Sequence, residues 1–213
     1  MKYTISDQLV LSTLAQMHRQ ASQEFPKILK GLAKAVFRKL QPEDMKDTYI
    51  AITQSQGEFI YDLLLKKGAR NIVEFGTSFG ISTLYLAAAA QQNGGRVITT
   101  ELLPEKCRVA RQNFEKAGLA SHIELREGDA MQTLREVPDQ IDFLLLDGWN
   151  DLYLPLLKLL EPRFAKNCLI YTDNASFKSA RPLLLHFASH PNKYKSQRLY
   201  DDKGGSELTE YIG

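Results

Sequence analysis

The chain has 213 residues, enough for one domain that buries about 70% of its unfolded surface and needs no disulfide or metal staples. Apolar residues make up 44% and charged residues 24%, the balance of an ordinary globular protein rather than a disordered or fibrous one. The formal net charge of only +2 argues against nucleic acid or an anionic membrane as the main partner.

The opening stretch Met1-Lys2-Tyr3-Thr4-Ile5-Ser6-Asp7 lacks the uninterrupted apolar core of a signal peptide, and no later apolar run is long enough to span a bilayer. Ser6 and Asp7 are caps for a first helix, with Leu9, Leu11, Leu14 and Met17 as its apolar positions. A second helix is expected over 26–40, its outer face carrying Lys27, Lys30, Lys34, Arg38 and Lys39 as a solvated basic surface. Residues 1–45 therefore read as an N-terminal helical segment, a lid or a source of oligomer contacts, ahead of a main domain over 46–213.

From residue 54 helices and strands alternate. Helices are expected over 54–67, 82–90, 104–117, 130–136, 154–160 and 180–189. Strands are expected over 71–75, 96–100, 123–126, 141–146 and 168–172, followed by 194–200 and 207–212 around Lys203-Gly204-Gly205. Lys106, Arg108, Arg111 and Lys116 are placed on the outside of the 104–117 helix. Such alternation predicts an α/β fold: a mostly parallel seven-stranded sheet, Rossmann-like, with helices on both faces and an antiparallel C-terminal hairpin. Cys107 and Cys168 lack metal-ligand spacing and read as packed thiols, which fits a cytoplasmic protein. None of His18, His122, His186 and His190 falls at a strand's carboxyl end, and no G-x-S-x-G elbow supports hydrolase chemistry.

Ligands of such sheets bind beyond the carboxyl ends of the strands. The first strand delivers Glu74-Phe75-Gly76-Thr77-Ser78-Phe79-Gly80, a glycine turn that lets a ligand approach the backbone. Strand two ends in Glu101, an acid placed to grip a ribose diol. The loop has two glycines rather than the three of a dinucleotide site, so a nucleoside with an amino-acid tail suits it better than a diphosphate.

On these residues the chain resembles the class I methyltransferases, which use S-adenosylmethionine. Glu74 to Gly80 looks like their first motif, Glu101 like their ribose-binding acid, and Glu127-Gly128-Asp129-Ala130 like their adenine-edge loop. From about residue 50 onward it is similar to the small metal-dependent O-methyltransferases of the catechol and caffeoyl-CoA types. The resemblance implies that Gly76, Thr77 and Ser82 hold the methionine end, with Glu74 also among the cofactor-binding residues. It places Ile52 on a segment closing over the cofactor, Glu101 on the ribose, Asp129 and Ala130 beside the adenine, and Asp147 at the cofactor's edge. Enzymes of this type are often dimers, and the N-terminal helices are where such contacts are expected.

Strand four ends in Asp147 and strand five in Asp173-Asn174, so two carboxylates and an amide carbonyl converge at one edge. That donor set suits Mg²⁺ or another divalent cation; the plainer reading is that Asp173 caps a turn and Asn174 holds a loop. The resemblance matches Asp147, Asp173 and Asn174 to metal ligands. It also exposes a departure: Asn150 stands where the catechol enzymes carry a lysine base, and asparagine accepts no proton at neutral pH. Asp147 and Asn150 are the catalytic candidates; Asp151 and Tyr153 are nearby candidates for a base, with exposed loop residues as the plainer reading, and Trp149 either walls the acceptor or covers the adenine. Tyr200, Asp201 and Asp202 are expected on a loop within reach of the acceptor. The leading expectation is metal-assisted methylation of a hydroxyl on a small aromatic acceptor. The alternative is a metal-independent transfer to another small molecule or to nucleic acid.

Overall fold

The computed structural model of the protein describes residues 2–23, 52–199 and 204–213. The helix expected over 26–40, the division near residue 45 and the residues Tyr200, Asp201 and Asp202 lie outside them. The described elements run α1 (Gln8–Gln23), α2 (Gln54–Lys67), β1 (Asn71–Phe75), α3 (Ile81–Asn93), β2 (Arg96–Glu101) and α4 (Pro104–Lys116). They continue through β3 (Ile123–Glu127), α5 (Ala130–Thr133), β4 (Ile141–Leu146), α6 (Tyr153–Leu160), β5 (Phe164–Thr172), α7 (Arg181–Ser189), β6 (Tyr194–Leu199) and β7 (Ser206–Tyr211).

The seven strands form one sheet in the order β3-β2-β1-β4-β5-β7-β6. The first five pair in parallel, and β7 pairs antiparallel with both β5 and β6. Connections leave β1 toward β2 on one side and later return to β4 on the other, so the switch point lies between β1 and β4. That is where a crevice opens beyond the carboxyl ends of a doubly wound sheet. Two apolar clusters cover the faces: α1 to α4 pack on one, and α5, α6 and α7 on the other. β4 reads Ile-Asp-Phe-Leu-Leu-Leu because it lies between two parallel neighbours with both faces covered.

The outer strands are different. β3 carries Glu124, Arg126 and Glu127, and β6 carries Lys195, Ser196, Gln197 and Arg198, most of them exposed.

Helix α1 starts as expected, with Asp7 Oδ1 accepting from the backbone N–H groups of Leu9 (2.8 Å) and Val10 (3.2 Å). Its buried stripe is Val10, Thr13, Leu14 and Met17, while Leu9 and Leu11 face solvent. An i, i+3, i+4, i+7 progression from Val10 gives the narrower helical face, and Leu9 and Leu11 fall outside it. Helix α5 is one turn long rather than the two expected over 130–136, and β5 begins four residues earlier than expected, at Phe164. Lys106, expected outside on α4, is buried: its ammonium lies 5.3 Å from the centroid of the Phe79 ring and 3.4 Å from Ser78 Oγ. The four-carbon stem packs as an apolar group while the charge meets a ring face and a hydroxyl. Among the described residues no helix is long and apolar enough to cross a membrane.

Helices α2 and α3 pack closely at Gly57, where any Cβ would overlap the buried ring of Tyr85. Gly57→Ala should therefore destabilise the fold by about 1–3 kcal/mol through overpacking. Urea denaturation of the variant against wild type checks it, and an unchanged midpoint would show that Tyr85 can move aside.

Candidate functional site

The site is built where β1, β4 and β5 end. Beyond β1 the chain turns at Gly76, whose φ of +106° is disfavoured for a side-chain-bearing residue. A Cβ there would stand 2.5 Å from the carbonyl oxygen of Asp147 and 2.9 Å from Gly148 Cα. Gly148 is pinned in turn, since its own Cβ would strike the Phe75 ring at 2.6 Å. The loops after β1 and β4 thus touch backbone to backbone, and a ligand on the first loop lies beside whatever Asp147 holds.

Beneath the Gly76 loop is a buried polar network. Glu74 is fully buried, and its Oε2 accepts from Thr83 Oγ1 (2.5 Å) and Thr99 Oγ1 (2.6 Å). Because Thr99 gives its proton to Glu74, the 2.5 Å contact between the Thr77 and Thr99 hydroxyls has Thr77 as donor. The Thr77 side chain therefore turns inward, leaving the loop backbone to face the crevice. Among the described residues Oε1 of Glu74 has no hydrogen-bond partner. Burial pushes the carboxyl above its usual range, against the opposing pull of the Ser82, Thr83 and Thr99 hydroxyls. Ser82 occupies the first turn of α3.

Glu101, at the end of β2, is aimed by two backbone donors: Ser78 N–H to Oε2 (2.9 Å) and Leu103 N–H to Oε1 (3.0 Å). Each oxygen keeps a lone pair for a hydroxyl of a bound ribose. Asp129 is exposed and caps α5, accepting from Met131 N–H at 2.9 Å, with Ala130 buried behind it. Ile52 is 2% exposed and packs into the apolar cluster on the α1–α4 face, which anchors the segment entering α2.

Asp147 and Asp173 follow paired residues, Leu146 and Thr172, so the two acids stand side by side. The Asp173 N–H donates to the Leu146 carbonyl at 2.9 Å. Asp173 is buried, and both carboxylate oxygens take amide donors: Gln56 Nε2 on Oδ1 (2.9 Å) and Asn174 Nδ2 on Oδ2 (2.8 Å). Asn174 has a φ of +55°, a conformation asparagine tolerates, and its Oδ1 lies toward Gly204. Asn150 opens a 3₁₀ turn and donates from Nδ2 to the Asn174 carbonyl at 3.5 Å, bridging the loops after β4 and β5.

Tyr153 corrects an expectation. It lies on no exposed loop but is wholly buried, with its hydroxyl within 3.4 Å of the Gly148 carbonyl and 3.3 Å of the Asp173 carbonyl. Burial, reinforced by the negative charges of Asp147 and Asp173, pushes its pKa well above the usual phenol range. It is a strut under the two acids rather than a base. Trp149 is half-buried and packs on the cluster covered by α6.

Among the described residues no three His, Cys, Asp or Glu side chains gather into a metal centre. The carboxylate pair Asp147–Asp173 is completed by a carboxamide instead. Its chemistry still fits a divalent cation: all three groups offer hard oxygens, and turning the Asn174 amide over would put its carbonyl where its nitrogen now sits. The glycine loop likewise fits a nucleoside ligand, because Gly76 carries no side chain and that of Thr77 is buried, so the loop offers backbone groups to the crevice. Sequence reasoning missed Gln56, Thr83 and Thr99. Gln56 had a signal, the Thr53-x-x-Gln56 capping-box spacing, whereas the two threonines became visible only through sheet register and helix packing.

Comparison with known proteins gives the chain's family and fold. Residues 19–180 match the O-methyltransferase family. A catechol O-methyltransferase of Niastella koreensis is 32% identical over 133 residues, covering 59% of this chain and 58% of that protein. A catechol O-methyltransferase of Mycobacterium tuberculosis is 33% identical over 156 residues, covering 67% of this chain and 70% of that one. The matched stretches thus span about three-fifths to seven-tenths of these relatives. The crystal structure of an O-methyltransferase from Bacillus cereus in complex with SAH superposes with a TM-score of 0.70 at 23% identity. It covers 94% of this chain and 90% of that one, a likeness of fold.

Two predictions follow from the strand-end geometry. Gly76→Ala should weaken S-adenosylhomocysteine binding at least about tenfold, because the loop must move off the Asp147 carbonyl; calorimetric titration measures it, and unchanged affinity would show that the loop is not the cradle. Glu74→Gln keeps an acceptor for Thr83 and Thr99. Because burial holds the folded-state carboxyl of Glu74 above the ordinary glutamate range, wild-type stability is greatest below that range and falls as pH rises toward the folded value. The glutamine variant should gain on wild type over that interval in urea melts, and a pH-independent difference would contradict the raised value.

Proposed function

Since the chain belongs to the O-methyltransferase family, we propose that it transfers the methyl group of S-adenosylmethionine to a hydroxyl of a small aromatic acceptor carrying vicinal oxygens, with a divalent cation held by Asp147, Asp173 and Asn174. The observation that carries this reading is the backbone contact between the Gly76 loop and Asp147. It supports a methyl donor on the first loop lying against an acceptor at the ends of β4 and β5.

The sulfonium supplies an activated methyl group, so the protein's task is chiefly to align an oxygen with it and ease that oxygen's deprotonation. Glu101, fixed by two backbone donors, takes the ribose hydroxyls and sets the depth of the nucleoside. The Gly76 loop and the first turn of α3 at Ser82 receive the amino-acid tail. Asp129 and Ala130 border the adenine. Asp147, Asp173 and Asn174 would hold the cation, which lowers the pKa of a chelated hydroxyl and fixes its direction. Asn150 offers a neutral amide at the place of a base, able to orient the acceptor but not to take its proton. The catechol activity named for the Niastella and Mycobacterium relatives supports a vicinal diol as the acceptor class.

The test is Mn²⁺ binding followed by electron paramagnetic resonance with S-adenosylhomocysteine present, alongside methyl transfer to catechol. Wild type should bind one ion, Asp173→Ala should lose it, and transfer should need the ion. Transfer that survives in EDTA would overturn the cation's part and favour the metal-independent alternative, with Asn150 and its neighbours as the chemical centre.

A further inference from the structure

Gln56 does more than begin a helix. It is the third residue of α2, and its backbone N–H donates to Thr53 Oγ1 at 3.2 Å. Its Oε1 accepts from Thr53 N–H (2.7 Å) and Thr53 Oγ1 (3.0 Å), completing a capping box. In such a box the N3 side chain is required only to accept, and glutamate serves as well as glutamine. Here the other end of the amide is used too. Nε2 lies 2.9 Å from Asp173 Oδ1 and 3.4 Å from the Tyr171 hydroxyl, in a buried position. The orientation of the amide is dictated rather than arbitrary: Thr53 N–H can only donate, so the oxygen faces Thr53 and the nitrogen must face the carboxylate.

One planar group therefore joins the backbone immediately after Ile52 to the carboxylate beyond β5. We infer that Gln56 is a positioning residue that ties the segment covering the cofactor to Asp173, so that cofactor binding and the acceptor-side carboxylate are set by one shared bond. The inference rests on the proposed S-adenosylmethionine site, with Ile52 on its covering segment. It names glutamine as a requirement that helix capping alone does not impose. A carboxylate at position 56 would keep the cap and face Asp173 with like charge, pushing the Thr53 end of the segment away.

The test is S-adenosylhomocysteine affinity by calorimetry in EDTA, so that no cation takes part, on wild type, Gln56→Glu and the double variant Gln56→Glu/Asp173→Asn. Thermal melts accompany each protein. Gln56→Glu should weaken binding about tenfold, the weight of one hydrogen bond to a charged group. The double variant exchanges donor and acceptor across the same gap and should recover most of that loss. Wild-type affinity in Gln56→Glu would reduce the residue to a helix cap and overturn the inference, as would a double variant no better than the single one. Absence of binding by wild type itself would instead bring down the cofactor reading, and this inference with it.

Discussion

The carbonyl oxygen of Asp147 occupies the space that a side chain at position 76 would need, and the rest of the site follows from that contact. Two neighbouring parallel strands end together, and their loops can meet only if one residue lacks a Cβ. With Gly76 in place the loop backbone lies low across the end of β4, and the first turn of α3 begins at the crevice. Gly148, held under the Phe75 ring, keeps the opposite wall equally close. The separation between the two halves of the site is thus a property of backbone packing, which flexes far less than side chains do.

Polar groups then fix what the backbone leaves loose. Glu74, Thr77, Thr83 and Thr99 form a connected set linking β1 and β2 to the Gly76 loop and α3, and Glu101 receives two backbone N–H groups. Tyr153 reaches two carbonyls, one from each acidic loop. Buried networks of this kind are costly when broken, because each stranded partner keeps its desolvation penalty. The same rigidity that stabilises the crevice also pre-aligns it, so little ordering remains to be done when a ligand arrives.

The sheet was largely legible in the sequence. Strands such as Ile141-Asp142-Phe143-Leu144-Leu145-Leu146 are apolar on both faces, and glycines and prolines punctuate the helices between them. The strand-end residues Gly76, Glu101, Asp147 and Asp173 were legible for the same reason: a parallel topology brings them to one edge whatever the side-chain detail. What escaped was decided by packing across elements. Lys106 looked solvent-facing from helical periodicity, yet the Phe79 ring and Ser78 draw it inward. Tyr153 looked like a loop residue because its run resembles a turn, but its ring fills space under Phe75, 6.2 Å between centroids. Leu9 and Leu11 are apolar without being interior, since the helix presents Val10 and Leu14 to α3 and α4 instead. Gln56 belongs to both classes: its capping role is local and readable, its partner 117 residues away is not.

The sheet's two outer strands also shape how the protein behaves at high concentration. A strand at the margin of a sheet offers unpaired backbone groups to any passing chain, and a flat apolar margin invites stacking into fibrils. β3 and β6 meet that hazard with Glu124, Arg126 and Glu127 on one margin and Lys195 and Arg198 on the other. Each charge would have to lose water, and meet its own kind, in an in-register pairing of copies. The margins are thereby self-repelling, and the apolar strands that carry the chemistry stay in the middle, where no other chain can reach them.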